Sequence, residues 1–209
     1  MRVLVVGSGG REHALVWKLA QSPEVGKIFC VPGNAGIASL AECVPLKMDD
    51  LENILLFAQE NKIHLTVVGP EAPLAAGIVD LFQENDQLIF GPDQRGALLE
   101  GSKVWAKNFM AKYSIPTAAF AVFNSSEEAD GYLQNASYPL VVKADGLAAG
   151  KGVFIAAGYE EASQFMRAVM ETKVFGRAGE SIVIEEFLQG EEVSVFAITD
   201  GDTYFTLPS

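Results

Sequence analysis

Short β-branched runs alternate with helical repeats through the first half of the chain. The apolar runs predict strands at Arg2 to Val6, Lys27 to Val31, His64 to Val68 and Gln87 to Phe90. The segments between them predict helices after Gly10, from about Asp50 to Asn61 and beyond Pro73. Because strands that alternate with helices usually form a parallel sheet, residues 1–101 are predicted to form a Rossmann-like α/β domain.

The order of elements changes near Gly101. Ser102 is predicted to cap a helix that runs to Lys112, and Pro116 then favours an extended crossing into a new unit. The elements predicted in this unit are a strand (Ala119 to Phe123), a helix (Ser125 to Asn135), a hairpin (140–155), a helix (Tyr159 to Met170) and a strand (Ile182 to Phe187). We therefore expect residues 102–209 to form a second domain, of α+β class.

A glycine-rich loop connects the two strands of the predicted hairpin. Gly146, Gly150 and Gly152 allow its backbone to turn and to approach a ligand closely. Lys143 and Lys151 add two positive charges to the backbone donors of the loop. We predict that this loop binds a phosphate chain.

The loop does not match the Walker A motif. Asp145 stands where that motif requires its first glycine, and Gly152 replaces the hydroxyl residue. A hairpin whose loop merely carries two lysines is the alternative that this segment leaves open.

The first strand ends in a second glycine turn, which begins at Gly7. A dinucleotide-binding fingerprint would require a third glycine where Glu12 stands, so the pattern argues against NAD. Gly9 and Gly10 still precede a helix, whose free amide groups and dipole favour an anion. We expect the phosphate of a small substrate to bind there.

Acidic side chains follow strands in both halves. Glu71 comes after the strand that ends at Val68, on the edge where open α/β sheets bind ligands, although a solvated turn carboxylate is an equal alternative. Alternation places Glu185 and Glu186 on opposite faces of a later strand, so one carboxylate is predicted to face a cleft. Glu192 is a second candidate acceptor beyond the following turn.

Composition excludes several classes of partner. The 209 residues carry a formal charge of −12 and a pI near 4.6, which disfavours binding to nucleic acid and to anionic membranes. Apolar runs are shorter than the ~18 residues of a membrane span, and the amino terminus lacks a signal-peptide pattern. Cys30 and Cys43 lack metal-like spacing and are expected to be reduced, buried thiols in a cytoplasmic protein.

Several motifs together resemble the glycinamide ribonucleotide synthetase family of the ATP-grasp superfamily. In chain order they are GSGGREHA from Gly7, PGNAG from Pro32, VGPEAPL from Val68, LEGSK from Leu99 and KADGLAAGKGV from Lys143. The strand with Glu185 and Glu186, followed by Leu188 and Glu192, resembles the nucleotide clamp of the same superfamily. The resemblance implies a pre-ATP-grasp domain followed by an ATP-grasp domain that is incomplete in this chain.

The resemblance also implies a reaction, in which ATP drives the ligation of glycine to 5-phosphoribosylamine in purine synthesis. It assigns the ATP phosphates to Lys103, Lys143 and Lys151, adenine to Glu185 and the backbone at Leu188, and ribose to Glu192. It assigns phosphoribosylamine to Gly9, Gly10, Arg11, Asn34 and Glu71.

The family pattern extends beyond Ser209, and the resemblance places the ligands for Mg²⁺ or Mn²⁺ there. We therefore expect a fragment or truncation, with no metal ligand and no catalytic residue identified within it. Two alternatives stay open, which are another ATP-grasp carboxylate-amine ligase and a nucleotide-binding module without turnover.

Overall fold

A computed structural model describes residues 1–148 and 150–207. The first sheet has five parallel strands in the order β3-β2-β1-β4-β5. Its strands are β1 (Arg2–Gly7), β2 (Lys27–Pro32), β3 (Glu42–Cys43), β4 (Leu65–Val68) and β5 (Ile89–Phe90). The accompanying helices are α1 (Gly10–Leu19), α2 (Leu51–Glu60), α3 (Glu71–Ala75), α4 (Ile78–Glu84) and α5 (Gln94–Gly101).

Strand β1 lies at the centre of this sheet and is buried on both faces. Leu4 and Val6 pack into a core with α2 and α4, whereas Val3 and Val5 pack into a second core with Val16 of α1. A strand covered on both faces must be apolar throughout, which explains its unbroken β-branched run. The predicted parallel α/β sheet is confirmed.

Three details of the first sheet differ from the sequence-based expectation. The helix expected beyond Pro73 begins at Glu71, because proline fits the first turn of a helix, where its missing N–H is not needed. Gly77, with φ +91°, separates α3 from α4. Strand β3 and helix α5 were not predicted; β3 has only two residues, and α5 follows a Gly-Pro turn and is capped by Asp93.

The second sheet is antiparallel, with the strand order β6-β9-β7-β8. Its strands are β6 (Phe120–Phe123), β7 (Leu140–Ala144), β8 (Val153–Ala156) and β9 (Ile182–Glu186). The helices of this part are α6 (Lys103–Lys112), α7 (Ser126–Leu133) and α8 (Tyr159–Met170). The predicted α+β order and hairpin are confirmed, and the hydroxyl of Ser102 caps α6 as expected.

The two faces of this second sheet differ in chemistry. One face packs Val142 and Ile184 against Leu133 of α7 and Met166 of α8 in an apolar core. The other face carries the alternate residues of β7 and β9, which include Lys143 and Glu185, and α6 contacts β9. The core therefore fixes the strands that present charged groups on the opposite face.

The last described strands, β10 (Ala197–Thr199) and β11 (Tyr204–Thr206), form a separate antiparallel hairpin. Its side chains are exposed, including those of Phe196 and Phe205. Within residues 1–148 and 150–207, no helix combines the length and apolar character needed to cross a membrane.

Candidate functional site

The substrate residues predicted in the first half lie after neighbouring strands of the parallel sheet. Gly9, Gly10 and Arg11 follow β1, Asn34 follows β2, and Glu71 follows β4. Since β2, β1 and β4 are adjacent and parallel, their carboxyl ends meet at one edge of the sheet. Side-chain hydrogen bonds of Asn34 and Arg11 connect these turns.

The first contact is the amide of Asn34. Its Nδ2 donates to the carbonyl of Ser8 at 2.8 Å, while its Oδ1 accepts from the backbone N–H groups of Gly36 and Ile37. Asn34 therefore joins the loop after β2 to the glycine turn after β1. Its side chain supports the shape of the edge through contacts that do not require a ligand.

The second contact is an ion pair between Arg11 and Glu71. Arg11 Nη1 lies 2.8 Å from Glu71 Oε1, and this hydrogen bond is the main reason that the pKa of Glu71 is lowered. The same contact raises the pKa of Arg11. The pair connects the start of α1 to the start of α3 and leaves the guanidinium largely exposed at the sheet edge.

Glu12 has a structural role that the sequence reasoning missed. The residue is only 3% exposed, and its Oε2 accepts a 2.6 Å hydrogen bond from the backbone N–H of Gly9. A Cβ atom at Gly7 or Gly69 would approach the Glu12 side chain to 2.4 Å or less. Glu12 therefore fills the turn where a dinucleotide-binding fingerprint would have its third glycine. The glycines at positions 7 and 69, which leave room for its side chain, were the sequence signal for this role.

In the second half, three charged side chains form what we call the lysine–glutamate cluster, namely Lys107, Lys143 and Glu185. Glu185 Oε2 lies 2.8 Å from Lys143 Nζ and 3.1 Å from Lys107 Nζ. In the β7–β9 register Glu185 is opposite Val141, so Lys143 is its diagonal neighbour on the same face. Lys107 reaches the carboxylate from α6.

Lys107 was not predicted as a site residue. It lies four residues after Lys103 in α6, and residues with this spacing share one face of a helix. Its Nζ also donates to Thr117 Oγ1 at 2.7 Å, and its side chain is only 10% exposed. The i, i+4 spacing of two lysines was the signal that could have identified it.

Lys103 connects α6 to the glycine loop. Its Nζ donates to the carbonyl of Gly146 at 2.9 Å. Burial, together with the positive charge of Lys143, lowers the pKa of Lys103 despite the carboxylates nearby. The structure therefore brings the three cationic groups of Lys103, Lys107 and Lys143 into one region of an otherwise acidic protein.

Asp145 fixes the start of the glycine loop. Its carboxylate accepts hydrogen bonds from the Ser102 hydroxyl and from the backbone N–H groups of Val104 and Gly146. It therefore bridges the loop to the amino end of α6. In the sequence, Asp145 is notable only because it replaces the first glycine of the Walker A motif.

Backbone conformation or close packing explains the glycines of this loop. Gly146 and Gly150 have φ values of +86° and +77°, in the region that favours glycine, and a Cβ at Gly152 would lie 2.6 Å from that of Ala148. Lys151 is exposed.

The end of β9 separates the predicted acidic residues. Glu186 is exposed and its Oε1 accepts from the backbone N–H of Ala119, so Glu185 is the one that faces inwards. Leu188 and Glu192 are exposed beyond the strand. Over residues 1–148 and 150–207, no hydrogen bond or ion pair joins Glu192 to the lysine–glutamate cluster.

Comparison with known families covers both halves of the chain. Residues 1–100 match the family model "Phosphoribosylglycinamide synthetase, N domain", and residues 101–209 match "Phosphoribosylglycinamide synthetase, ATP-grasp (A) domain". The chain belongs to the phosphoribosylglycinamide synthetase family. This is the family that the sequence motifs resemble.

Individual relatives agree with the family models. The chain is 51% identical to a phosphoribosylamine–glycine ligase of Caldanaerobacter subterraneus over 99% of its length, and 54% identical to one of Nostoc sp. over 97%. These matches cover 50% and 48% of the two relatives. The chain therefore spans about half the length of the curated relatives it matches.

Solved structures share the fold. A phosphoribosylamine–glycine ligase from Thermotoga maritima superposes with a TM-score of 0.82 at 36% identity, covering 100% of this chain and 49% of that one. The biotin carboxylase domain of a Hydrogenobacter thermophilus 2-oxoglutarate carboxylase, solved with MgADP, gives a TM-score of 0.70 at 20% identity, covering 90% of this chain and 44% of that one. The second likeness concerns the fold alone.

The phosphoribosylglycinamide synthetase family implies ATP, and the lysine–glutamate cluster fits part of such a ligand. Glu185 Oε1 is buried and has no hydrogen-bond partner among the described residues. A buried acceptor without a donor costs about 1–3 kcal/mol, so a donor from a ligand would stabilise it. Lys103, Lys143 and Lys151 supply positive charge of the kind that binds phosphates.

The family also implies a divalent metal, and here the described residues do not fit. Residues 1–148 and 150–207 contain no group of three or more His, Cys, Asp or Glu side chains that could hold a metal ion. We therefore assign no step of a reaction to a metal within this chain.

Proposed function

We propose that the protein carrying this chain is an ATP-dependent carboxylate-amine ligase that joins glycine to 5-phosphoribosylamine. The products are glycinamide ribonucleotide, ADP and phosphate, in purine synthesis. The proposal places residues 1–101 in a substrate-binding domain and residues 102–209 in the nucleotide-binding domain. Free cysteines and small-molecule substrates are consistent with a cytoplasmic enzyme.

One observation carries this proposal. Lys103 donates to the glycine loop at Gly146, and Lys143, which precedes that loop, contacts the buried Glu185. Cations for a phosphate chain are thus adjacent to a carboxylate that has a free buried oxygen. A nucleoside triphosphate combines phosphates with hydrogen-bond donors on its base and ribose, and so matches both features.

The proposed roles follow from charge and position. Lys103, Lys143 and Lys151 hold the ATP phosphates with the backbone of Gly146, Gly150 and Gly152. Catalysis of phosphoryl transfer depends mainly on positioning and on charge stabilisation, and these residues supply both. The adenine contacts are assigned to Glu185, Glu186 and Leu188, and the ribose contact to Glu192.

The phosphoribosylamine contacts are assigned to the edge of the parallel sheet. Gly9 caps α1 and Gly10 begins it. The Gly9 N–H already donates to Glu12, so the N–H groups of the first turn, from Gly10 onward, are the ones that favour an anion. Arg11 adds an exposed positive charge, Asn34 shapes the neighbouring loop, and Glu71 is placed to accept from an amine or a hydroxyl.

A divalent cation, Mg²⁺ or Mn²⁺, would offset phosphate charge when bound. The biotin carboxylase relative was solved with MgADP, which supports Mg²⁺ for this fold.

The direct test uses the complete gene product that carries this sequence. It is incubated with ATP, Mg²⁺, glycine and freshly prepared phosphoribosylamine, and the products are analysed for glycinamide ribonucleotide and ADP. We expect both products in equal amounts and only when glycine and the amine are present. ADP release that does not depend on glycine would contradict the assignment.

Two comparisons separate the alternatives. Replacing glycine by other amino acids and small carboxylates identifies a ligase of different specificity. Calorimetry of the 209-residue chain with ATP, paired with an assay for ADP, identifies a nucleotide-binding module without turnover. If this chain bound no ATP, the result would show that the nucleotide clamp is incomplete within these 209 residues.

A further inference from the structure

The lysine–glutamate cluster contains one more cation than its carboxylate needs. Glu185 carries one negative charge, yet Lys107 and Lys143 both approach its Oε2 atom, at 3.1 and 2.8 Å. A buried carboxylate requires at least one such partner, because an unpaired charge in the interior is strongly unfavourable. One lysine is sufficient to meet this requirement, so the other can leave.

The surroundings of the two lysines indicate which one can leave. Lys107 is 10% exposed and is held by a second hydrogen bond, to Thr117 Oγ1 at 2.7 Å. Its Nζ also lies 5.6 Å from the centre of the Phe120 ring, within the range of a cation–π contact. Lys143 is 25% exposed, and the described contacts give its Nζ only Glu185 as a partner.

The position of Lys143 in the chain agrees with its leaving Glu185 for a phosphate. It lies in β7 two residues before the glycine loop, whereas Lys107 lies in the body of α6. Glu185 Oε1 is itself shielded from solvent, so a ligand can reach it only after a neighbouring side chain moves. Movement of Lys143 towards a phosphate would free one position next to this carboxylate.

We propose that Lys107 is a positioning residue, the permanent counter-ion of Glu185 that releases Lys143 to bind phosphate. The inference rests on the proposed function, because it requires a nucleotide at the glycine loop. Without Lys107, Glu185 would retain Lys143 as its sole cation, and binding of phosphate would have to compete with that ion pair. Lys107 would thus affect ATP affinity through Glu185, without touching the nucleotide.

A double-mutant cycle tests this proposal. ATP dissociation constants are measured by calorimetry, with Mg²⁺ present, on the complete gene product, for the unsubstituted protein, Lys107→Met, Glu185→Gln and the double variant. We expect Lys107→Met to weaken binding about tenfold or more, the scale of one charge-assisted contact. In the Glu185→Gln background the same substitution is expected to change affinity less than about twofold, because no carboxylate charge then holds Lys143.

Two further variants complete the design. Lys107→Arg keeps a cation beside Glu185 and is expected to retain most of the affinity. Lys112→Met removes a lysine from the exposed end of the same helix, where it lies over Tyr113, and is expected to bind ATP normally.

Spectra of lysine side chains give an independent readout. In ¹³C-labelled protein, with signals assigned through the substitutions, ATP is expected to shift the Lys143 resonance and to leave that of Lys107 nearly unchanged. A large shift of Lys107 with an unchanged Lys143 would overturn the proposal.

The outcomes distinguish this inference from the function on which it rests. If the unsubstituted protein binds ATP but Lys107→Met binds equally well, or loses the same factor in both backgrounds, the inference is wrong and the function stands. If the unsubstituted protein binds no ATP, both are wrong. If Lys107→Met does not fold, the ATP affinities of Glu185→Gln and of the double variant are compared instead. The proposal requires these two affinities to be equal within about twofold, and a larger difference would overturn it.

Discussion

Lys103 at the start of α6 donates a hydrogen bond to the carbonyl of Gly146, 43 residues later in the chain. The contact brings the helix against the glycine loop, and the bridge from Asp145 to Ser102 reinforces it. A lysine in this position is costly to keep charged, because it is partly buried and lies near Lys143. Its protonation is therefore sensitive to pH in a range where exposed lysines stay charged.

The first prediction concerns alkaline pH. Burial lowers the pKa of Lys103 below its ordinary value of 10.5, so Lys103 loses its proton earlier than an exposed lysine as pH rises. If its charge holds phosphate, ATP affinity falls as pH rises through this lowered pKa. Lys103→Arg keeps its charge at any such pH and is expected to remove the fall. Titrations at a series of pH values compare the two proteins, and parallel profiles would contradict the role.

The second prediction compares two lysines of the hairpin. Lys143→Ala and Lys151→Ala are each expected to weaken ATP binding by about 1–3 kcal/mol, since each loses a charge-assisted contact. Their effects on folding should differ. Lys151 is exposed, so its substitution is expected to change the free energy of unfolding by less than about 0.5 kcal/mol. Lys143→Ala removes one of the two cations beside buried Glu185, and because Lys107 still pairs with this carboxylate, the expected cost is about 1 kcal/mol, the net value of one hydrogen bond.

Calorimetry and urea denaturation measure the two quantities separately. Equal losses of stability in both variants would show that the Lys143–Glu185 contact has little weight in the folded protein. Unchanged ATP affinity in both would remove the reason for assigning phosphate to this loop.

The sequence predicted the elements of this fold better than it predicted the contacts of its site. Periodicity located β1, α8 and the hairpin because each has a strong pattern and a buried face. Ser102 was predicted as a helix cap because capping is a local interaction between neighbours in sequence. Such features need no knowledge of distant residues.

The missed features all depend on distant partners. Lys107 gains its importance from Glu185 in β9, and Asp145 from the helix start at Ser102. In the sequence, Glu12 is only a departure from the dinucleotide-binding fingerprint, whereas in the structure its side chain fills the space between Gly7 and Gly69. Composition and spacing do not specify such pairs, because the register of the sheets determines them.

The third prediction uses the close approach of Gly69 to Glu12. A Cβ at residue 69 would lie 2.2 Å from Glu12 Oε1 and 2.4 Å from its Cγ, and Glu12 is 3% exposed. Gly69→Ala is therefore expected to destabilise the protein by about 1–3 kcal/mol through overpacking. Adding Glu12→Ala should relieve the clash, so the double variant is expected to lose less stability than the sum of the single losses.

A matched control for this experiment is Gly131→Ala in α7. A Cβ at residue 131 has no atom within 4 Å, and alanine is the better helix former. The control is expected to raise the free energy of unfolding by about 0.5–1 kcal/mol. If Gly69→Ala were as stable as this control, Glu12 would not be fixed in the turn.

The fourth prediction concerns the ion pair between Arg11 and Glu71 and its dependence on pH. The hydrogen bond from Arg11 lowers the pKa of Glu71 below its ordinary value of 4.5. A carboxyl group with a lowered pKa in the folded state stabilises the protein above its unfolded pKa, and this contribution disappears as pH falls through the folded pKa. Because both side chains are substantially exposed, solvent screening limits the pair to less than about 1 kcal/mol near neutral pH.

Glu71→Gln is therefore expected to lower the free energy of unfolding slightly at neutral pH and to match the unsubstituted protein once pH lies below the lowered pKa of Glu71. Urea denaturation at a series of pH values measures the difference. Glu42→Gln provides the control, because Glu42 pairs with Lys27 at 2.7 Å on the same sheet, where both side chains are about half exposed. A Glu71→Gln loss that persisted unchanged into acid would show that its cause is not the charge of Glu71, since that charge is absent there.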